Sequence, residues 1–138
     1  MNRTVFLIDG FNLYHSVRDA ARAAGGHGTK WLNIKSLCES YLHLVGGQSV
    51  LVNIYYSDEC DTAMLVTGDT DIAPAVRTAQ RLFPDKTIGF AFPFGRKNKE
   101  LAQLVPRSFQ ISKNQYLKNQ FPPVVEISGR LLHKPDKW

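Results

Sequence analysis

The chain is short of cysteine, of ordered histidine and of long apolar runs, and each shortage removes a class of protein. Its two cysteines, Cys38 and Cys60, lie far apart and form no Cys-x-x-Cys unit. Neither a disulfide framework nor a zinc knuckle is expected, and reduced thiols are the default. His15, His27, His43 and His133 are scattered without ligand spacing, which sets aside the usual histidine-based zinc patterns. No apolar run approaches a membrane span, and Met1-Asn2-Arg3-Thr4 leads straight into a strand pattern, leaving no room for a signal peptide. The expected setting is cytoplasmic, with no membrane partner. Internal repeats and low-complexity segments are also missing.

What is present is enough apolar residue, 43% of 138 positions, to build one core. A single domain over 1–138 is expected, with 122–138 as a C-terminal extension. The net charge of +5 is unevenly placed: Asp58, Glu59, Asp61, Asp69 and Asp71 are five of the twelve acids, and no Lys or Arg lies between Asp58 and Asp71. From Arg96 to Lys118 the balance reverses, with Arg96, Lys97, Lys99, Arg107, Lys113 and Lys118 facing only Glu100. An acidic focus beside a basic stretch suits an enzyme that holds a cation and grips a polyanion, because Lys and Arg contacts to phosphate supply most sequence-independent affinity.

Thr4 to Ile8 reads as a buried strand ending at Asp9-Gly10, and the pattern Phe11, Leu13, Tyr14, Val17, Ala20, Ala21, Ala24 as a helix stopped by Gly25-Gly26. Asn33 is the expected cap of a second helix carrying Ile34, Leu37, Tyr41, Leu42 and Leu44-Val45, closed by Gly46-Gly47. Ser49 to Tyr56 and Thr62 to Val66 read as strands. Thr70 or Asp71 would cap a helix through Ile72 to Leu82, with Pro74 tolerated near its start. Thr87 to Phe92 is a strand, Pro93-Phe94-Gly95 a turn, and Lys97 or Asn98 opens another helix. A short strand at Ser108 to Ile111, a helical turn from Lys113 to Asn119 and a hairpin around Ser128-Gly129 complete the pattern. Alternating strand and helix implies a helix-covered, mostly parallel sheet.

One link breaks this rhythm. Only Ser57 to Asp61 separates two strands expected to be parallel neighbours, whereas a parallel crossover needs a dozen residues or more. Either the pair is antiparallel or a crossover is missing, with Ser57 and Asp58, or a pair close by, standing far apart across a break.

Asp9 and the pair Asp69 and Asp71 arise at the same kind of place, the carboxyl end of an apolar strand entering a helix. In a parallel sheet they converge on one rim, where ligands bind. Clustered carboxylates repel unless a cation lies between them, and oxygen ligands without His or Cys point to Mg²⁺ or Mn²⁺, the usual metals of phosphodiester hydrolysis. Asn12 and Thr67 would orient water or phosphate, and Arg96, Lys97 and Lys99 would grip the backbone. Read plainly, the same aspartates are turn and cap residues.

Val5-Phe6-Leu7-Ile8-Asp9-Gly10-Phe11-Asn12-Leu13-Tyr14, Asp61-Thr62-Ala63-Met64-Leu65-Val66-Thr67-Gly68-Asp69-Thr70-Asp71-Ile72-Ala73-Pro74-Ala75-Val76 and Phe92-Pro93-Phe94-Gly95-Arg96-Lys97-Asn98-Lys99-Glu100-Leu101 together resemble the NYN domain family of the PIN-like nuclease superfamily, in its LabA-like bacterial branch. The resemblance runs nearly end to end. It implies a PIN-like three-layer α/β/α sandwich and a metal-dependent ribonuclease site, with RNA as partner and a homodimer as an allowed assembly. On that basis Asp9 is the first-strand metal ligand, Asn12 its polar neighbour, Asp69 and Asp71 the second acidic pair, and Thr67 the small hydroxyl before Gly68. The departure falls at residues 57–61, where the family carries a longer segment with a further Lys and Asp near the site. A non-catalytic RNA- or protein-binding regulator on the same fold is the alternative. A phosphatase of the haloacid dehalogenase type is disfavoured, because Phe11 stands where that family needs a second Asp.

Overall fold

The alternating apolar runs assemble into one parallel sheet. The computed structural model describes residues 1–26, 28–53 and 60–136. Strands β1 (Asn2–Ile8), β2 (Ser49–Asn53), β3 (Thr62–Val66), β4 (Thr87–Phe92) and β5 (Arg107–Gln110) lie in the order β2-β1-β3-β4-β5, every neighbouring pair parallel. Numbered along the chain, helices α1 (Gly10–Ala23), α2 (Ile34–Ser40), α3 (Leu42–Val45) and α6 (Lys113–Lys118) cover one face, while α4 (Ala73–Leu82) and α5 (Lys99–Leu104) cover the other. The result is an α/β fold with helices on both sides of its sheet, the layering expected for a three-layer α/β/α sandwich.

Strand periodicity sorts the core into two halves. On β4, Ile88, Phe90 and Phe92 pack with Ala73, Val76 and Leu101 from α4 and α5. Ala91 points the other way and joins Phe6, Met64 and Val66 beneath Leu13, Val17, Leu37 and Tyr116. Strands buried on both faces are what continuous apolar runs in a parallel sheet require.

Several boundaries differ from the sequence expectation. β2 and β3 are parallel but are not neighbours, because β1 lies between them and pairs with both. The antiparallel alternative is thereby corrected. The chain-break expectation at Ser57 and Asp58 lies outside the described residues, as does the continuation of β2 through 54–56. The second helix is two: α2, capped where Asn33 Oδ1 accepts from the Ser36 N–H at 3.0 Å, then α3 after a break at Tyr41. Tyr41 serves tertiary contacts instead, stacking on Phe109 at 4.8 Å and accepting the Ser112 N–H at 3.0 Å. After Phe121, strands β6 (Val124–Ile127) and β7 (Arg130–His133) form an antiparallel hairpin turning at Ser128 (φ 51°) and Gly129 (φ 77°). Among the described residues, no helix is long and apolar enough to cross a membrane.

Candidate active site

Register decides what meets at the rim. Ile8 of β1 pairs with Val66 of β3, so the next residues, Asp9 and Thr67, leave the sheet side by side. Asp9 N–H donates to the Val66 carbonyl at 3.1 Å, extending the ladder one step. Asp9 then caps α1. Its Oδ1 accepts from the N–H groups of Phe11 (3.0 Å) and Asn12 (3.1 Å), and its Oδ2 accepts from Asn12 Nδ2 (2.7 Å) and the Thr67 hydroxyl (3.1 Å). Partial burial pushes the carboxyl pKa up, but the bonds from Asn12, Thr67 and Phe11 outweigh it and hold Asp9 below the ordinary value of 3.8. Hydrogen bonds to the ionised form favour that form. Asn12 and Thr67 thus fix the orientation of Asp9.

The second junction is built more loosely. Thr67 Oγ1 accepts the Asp69 N–H at 3.1 Å, and Asp69 Oδ1 accepts the Asp71 N–H at 3.1 Å. Asp69, rather than the expected Thr70 or Asp71, is therefore the cap. It opens a 3₁₀ turn, Thr70–Ile72, that leads into α4, where Pro74 sits in the first turn. Thr70 and Asp71 fall inside that turn because its tighter winding starts the helical path three residues early. Asp69 and Asp71 are both exposed. Asp9, Thr67, Asp69 and Asp71 line one groove of about 450 Å³ over Leu7, Leu65 and Ile72.

A second cavity of about 440 Å³ lies on the other side of Asp69, bounded by Phe11, Asn12, Gly68, Arg96 and Lys97. Arg96 and Lys97 thus face the acidic rim; Lys99, the first residue of α5, is exposed and lines neither cavity. Two contacts fix the loop that carries them. A Cβ at Gly68 would collide with the Arg96 carbonyl oxygen, so glycine is needed here for close approach rather than for a left-handed φ. On the inner side, Ser16 Oγ donates to the Phe94 carbonyl at 2.9 Å. Its proton being spent there, the buried Tyr116 hydroxyl donates to Ser16 Oγ at 2.9 Å and accepts the Phe94 N–H at 3.3 Å. Burial raises the Tyr116 pKa, which keeps this donor protonated.

Sequence reasoning missed Asp19, which pairs with Arg96 at 3.3 Å and with Arg22 at 3.5 Å. Its place two turns along α1 was visible, but its partner came from β4–α5 and carried no local signal. Phe11 and Tyr14 were counted with the apolar stripe of α1. They are instead 74% and 58% exposed.

The donor set of the first groove is carboxylate and hydroxyl oxygen, which fits a hard cation. Asp9 already accepts two bonds at each oxygen, so an ion there displaces the Thr67 or Asn12 donor. Among the described residues, no group of three or more His, Cys, Asp or Glu side chains is close enough to hold a metal; the three aspartates share a groove without forming a common shell.

Fold and rim together define an α/β protein with a parallel sheet and an acid-lined, base-flanked carboxyl edge. Comparison with protein-family models, with curated proteins and with solved structures finds no match to this chain.

Proposed function

We propose that the protein is a Mg²⁺-dependent nuclease that hydrolyses RNA phosphodiester bonds in the cytoplasm, the activity that its resemblance to the NYN domain family implies. The observation that carries the reading is the Thr67 bridge, which ties both acid-bearing junctions into one unit on the carboxyl rim. Asp9, Asp69 and Asp71 would hold the ion, Mg²⁺ or Mn²⁺, once the exposed Asp69 and Asp71 turned toward Asp9 and the ion took the place of one of Asp9's donors; when bound it would supply an activated water and stabilise charge at phosphorus. The chain's own residues supply the rest. Asn12 and Thr67 hold the Asp9 carboxylate in one orientation, while Arg96 and Lys97 neutralise the phosphates that approach Asp69. Lys99 extends that basic edge on α5.

The test is cleavage of a labelled RNA oligonucleotide by wild type and Asp69→Ala, with Mg²⁺ and with EDTA. Cleavage only by wild type and only with Mg²⁺ supports the reading; metal-independent cleavage, or equal cleavage by Asp69→Ala, overturns it. One observation favours a second reading, a non-catalytic RNA- or protein-binding regulator: the Asp9 carboxylate is already saturated by protein donors. Such a binder holds RNA in EDTA and leaves it intact when Mg²⁺ is added.

A further inference from the structure

The outward face of α1 carries a different kind of chemistry. At about 100° per residue, Leu13, Val17, Ala20 and Ala21 form the inward stripe, and Phe11, Tyr14, His15, Arg18 and Arg22 line the opposite side. The rings are organised. His15 sits edge-on between Phe11, at 4.4 Å, and Tyr14, at 5.4 Å, and the Arg18 guanidinium lies over the Tyr14 ring at 5.8 Å. Phe11 and Tyr14 are 74% and 58% exposed, a large cost for two aromatic rings at one helix end unless something stacks on them.

Position and charge say what that is. Phe11 borders the cavity that also holds Asp69, Arg96 and Lys97, so the aromatic stripe begins where the acidic rim ends. From Phe11 to Arg22 the stripe runs about 16 Å along the helix, room for a few nucleotides. Arg18 and Arg22 lie on it and Arg96 flanks it; Asp19, the acid of this face, is engaged by Arg22 and Arg96. Exposed rings interleaved with cations are the makings of single-strand recognition, where bases stack on aromatics and cations follow the backbone.

We propose that Phe11, Tyr14 and Arg18 form a stacking track for unpaired bases, opening on the cavity of Asp69, Arg96 and Lys97, which feeds a single strand along α1 to the rim. The track rests on the nuclease reading for its purpose but not for its detection. Stacking needs no ion, so it is measured with EDTA present. Every base offers a π face, so the track is tolerant of sequence but rejects paired bases, whose faces are already covered.

The experiment is fluorescence anisotropy of labelled eight-nucleotide RNA, single-stranded or annealed to its complement, in EDTA. The variants are Phe11→Ala, Tyr14→Ala and Phe11→Trp, all at exposed positions. The expected result is preference for the single strand, a loss of about tenfold for each alanine variant, and retained affinity for Phe11→Trp with its emission quenched on binding. Wild-type affinity in both alanine variants overturns the track while leaving the nuclease reading standing. Failure of the wild type to bind either RNA in EDTA overturns the track, while the nuclease reading stands or falls on cleavage with Mg²⁺. A wild-type dimer in sedimentation equilibrium that Phe11→Ala converts to monomer overturns the track in favour of a second copy covering this face.

Discussion

The junctions after β1 and β3 look alike in sequence and are built differently. Each is an apolar strand, an aspartate beside a glycine, and a helix. At the first, Asp9 directly caps a fourteen-residue α-helix and receives donors at both oxygens. At the second, Asp69 caps a three-residue 3₁₀ turn, and Asp71 stands exposed with its carboxylate unpartnered among the described residues. One carboxylate is held at both oxygens before any ligand arrives, Asp69 is held at one, and Asp71 at neither among the described residues. That division suits a site in which a positioned group sets the geometry and adaptable groups complete it, since rigid preorganisation of every ligand is not needed where the partner brings its own charge.

The glycines give the sharpest break of this comparison. Gly68→Ala forces the β3 turn away from Arg96 and should lower unfolding free energy by about 1–3 kcal/mol, the usual range for overpacking, in urea melts. RNA affinity should fall with it, since the basic loop loses its seat. Next in size, Asp9→Ala removes a cap and strands the Thr67 hydroxyl, for about 1–2 kcal/mol; Asp71→Ala should stay within about 0.5 kcal/mol. Equal losses at the two sites would erase the distinction between a bonded and an unbonded acid.

Acid titration sharpens the same contrast. The folded pKa of Asp9 is lowered, so its contribution is complete above the unfolded value and is lost as pH falls through the folded one. At the start of β3, Asp61 behaves likewise: Arg3 donates to it from Nε at 3.2 Å, Nη2 at 3.1 Å and its N–H at 2.9 Å, and holds its pKa down at about 2. Carboxyl carbon NMR should find Asp61 titrating near that value and Asp9 below 3.8. Asp61→Asn should flatten the loss of stability between about pH 4, the unfolded value, and the folded one. A further effect has the opposite sign. Gly10 opens α1 with free space around its Cα and no positive φ, so Gly10→Ala should stabilise by about 0.4–1 kcal/mol.

Much of this was legible in the chain. The bounds of β3 and β4, the Asn33 cap and the Ser128-Gly129 hairpin follow from apolar runs and turn chemistry, which act locally. Asp9, Thr67, Asp69 and Asp71 could be sent to one rim because parallel strands end together. Sheet order was not legible: nothing near Ser49 or Thr62 says that β1 will lie between their strands. The direction of the Thr67 hydroxyl, toward Asp9 rather than outward, follows from the β1–β3 register and has no sequence signature. The same holds for Asp19 and Arg96, which are far apart in the chain. Phe11 and Tyr14 were rightly read as helical, but their exposure was not legible, because a list of apolar positions does not say which face of α1 the sheet covers.

The hairpin of β6 and β7 sets a separate clock within the molecule. Among the described residues its strands pair with each other, and just before it the chain is tied to the body by the Phe121 N–H to the Trp31 carbonyl and Trp31 Nε1 to the Pro122 carbonyl, both 2.9 Å. Beyond them Ile127 and Leu131 are 51% and 64% exposed, and a two-stranded ribbon has little stability of its own. Its amide protons will exchange through local fraying while those of β1 and β3 wait for global opening. A fluorophore attached at residue 131 would therefore report the ribbon, and a melting curve read there would understate the sheet that carries the site.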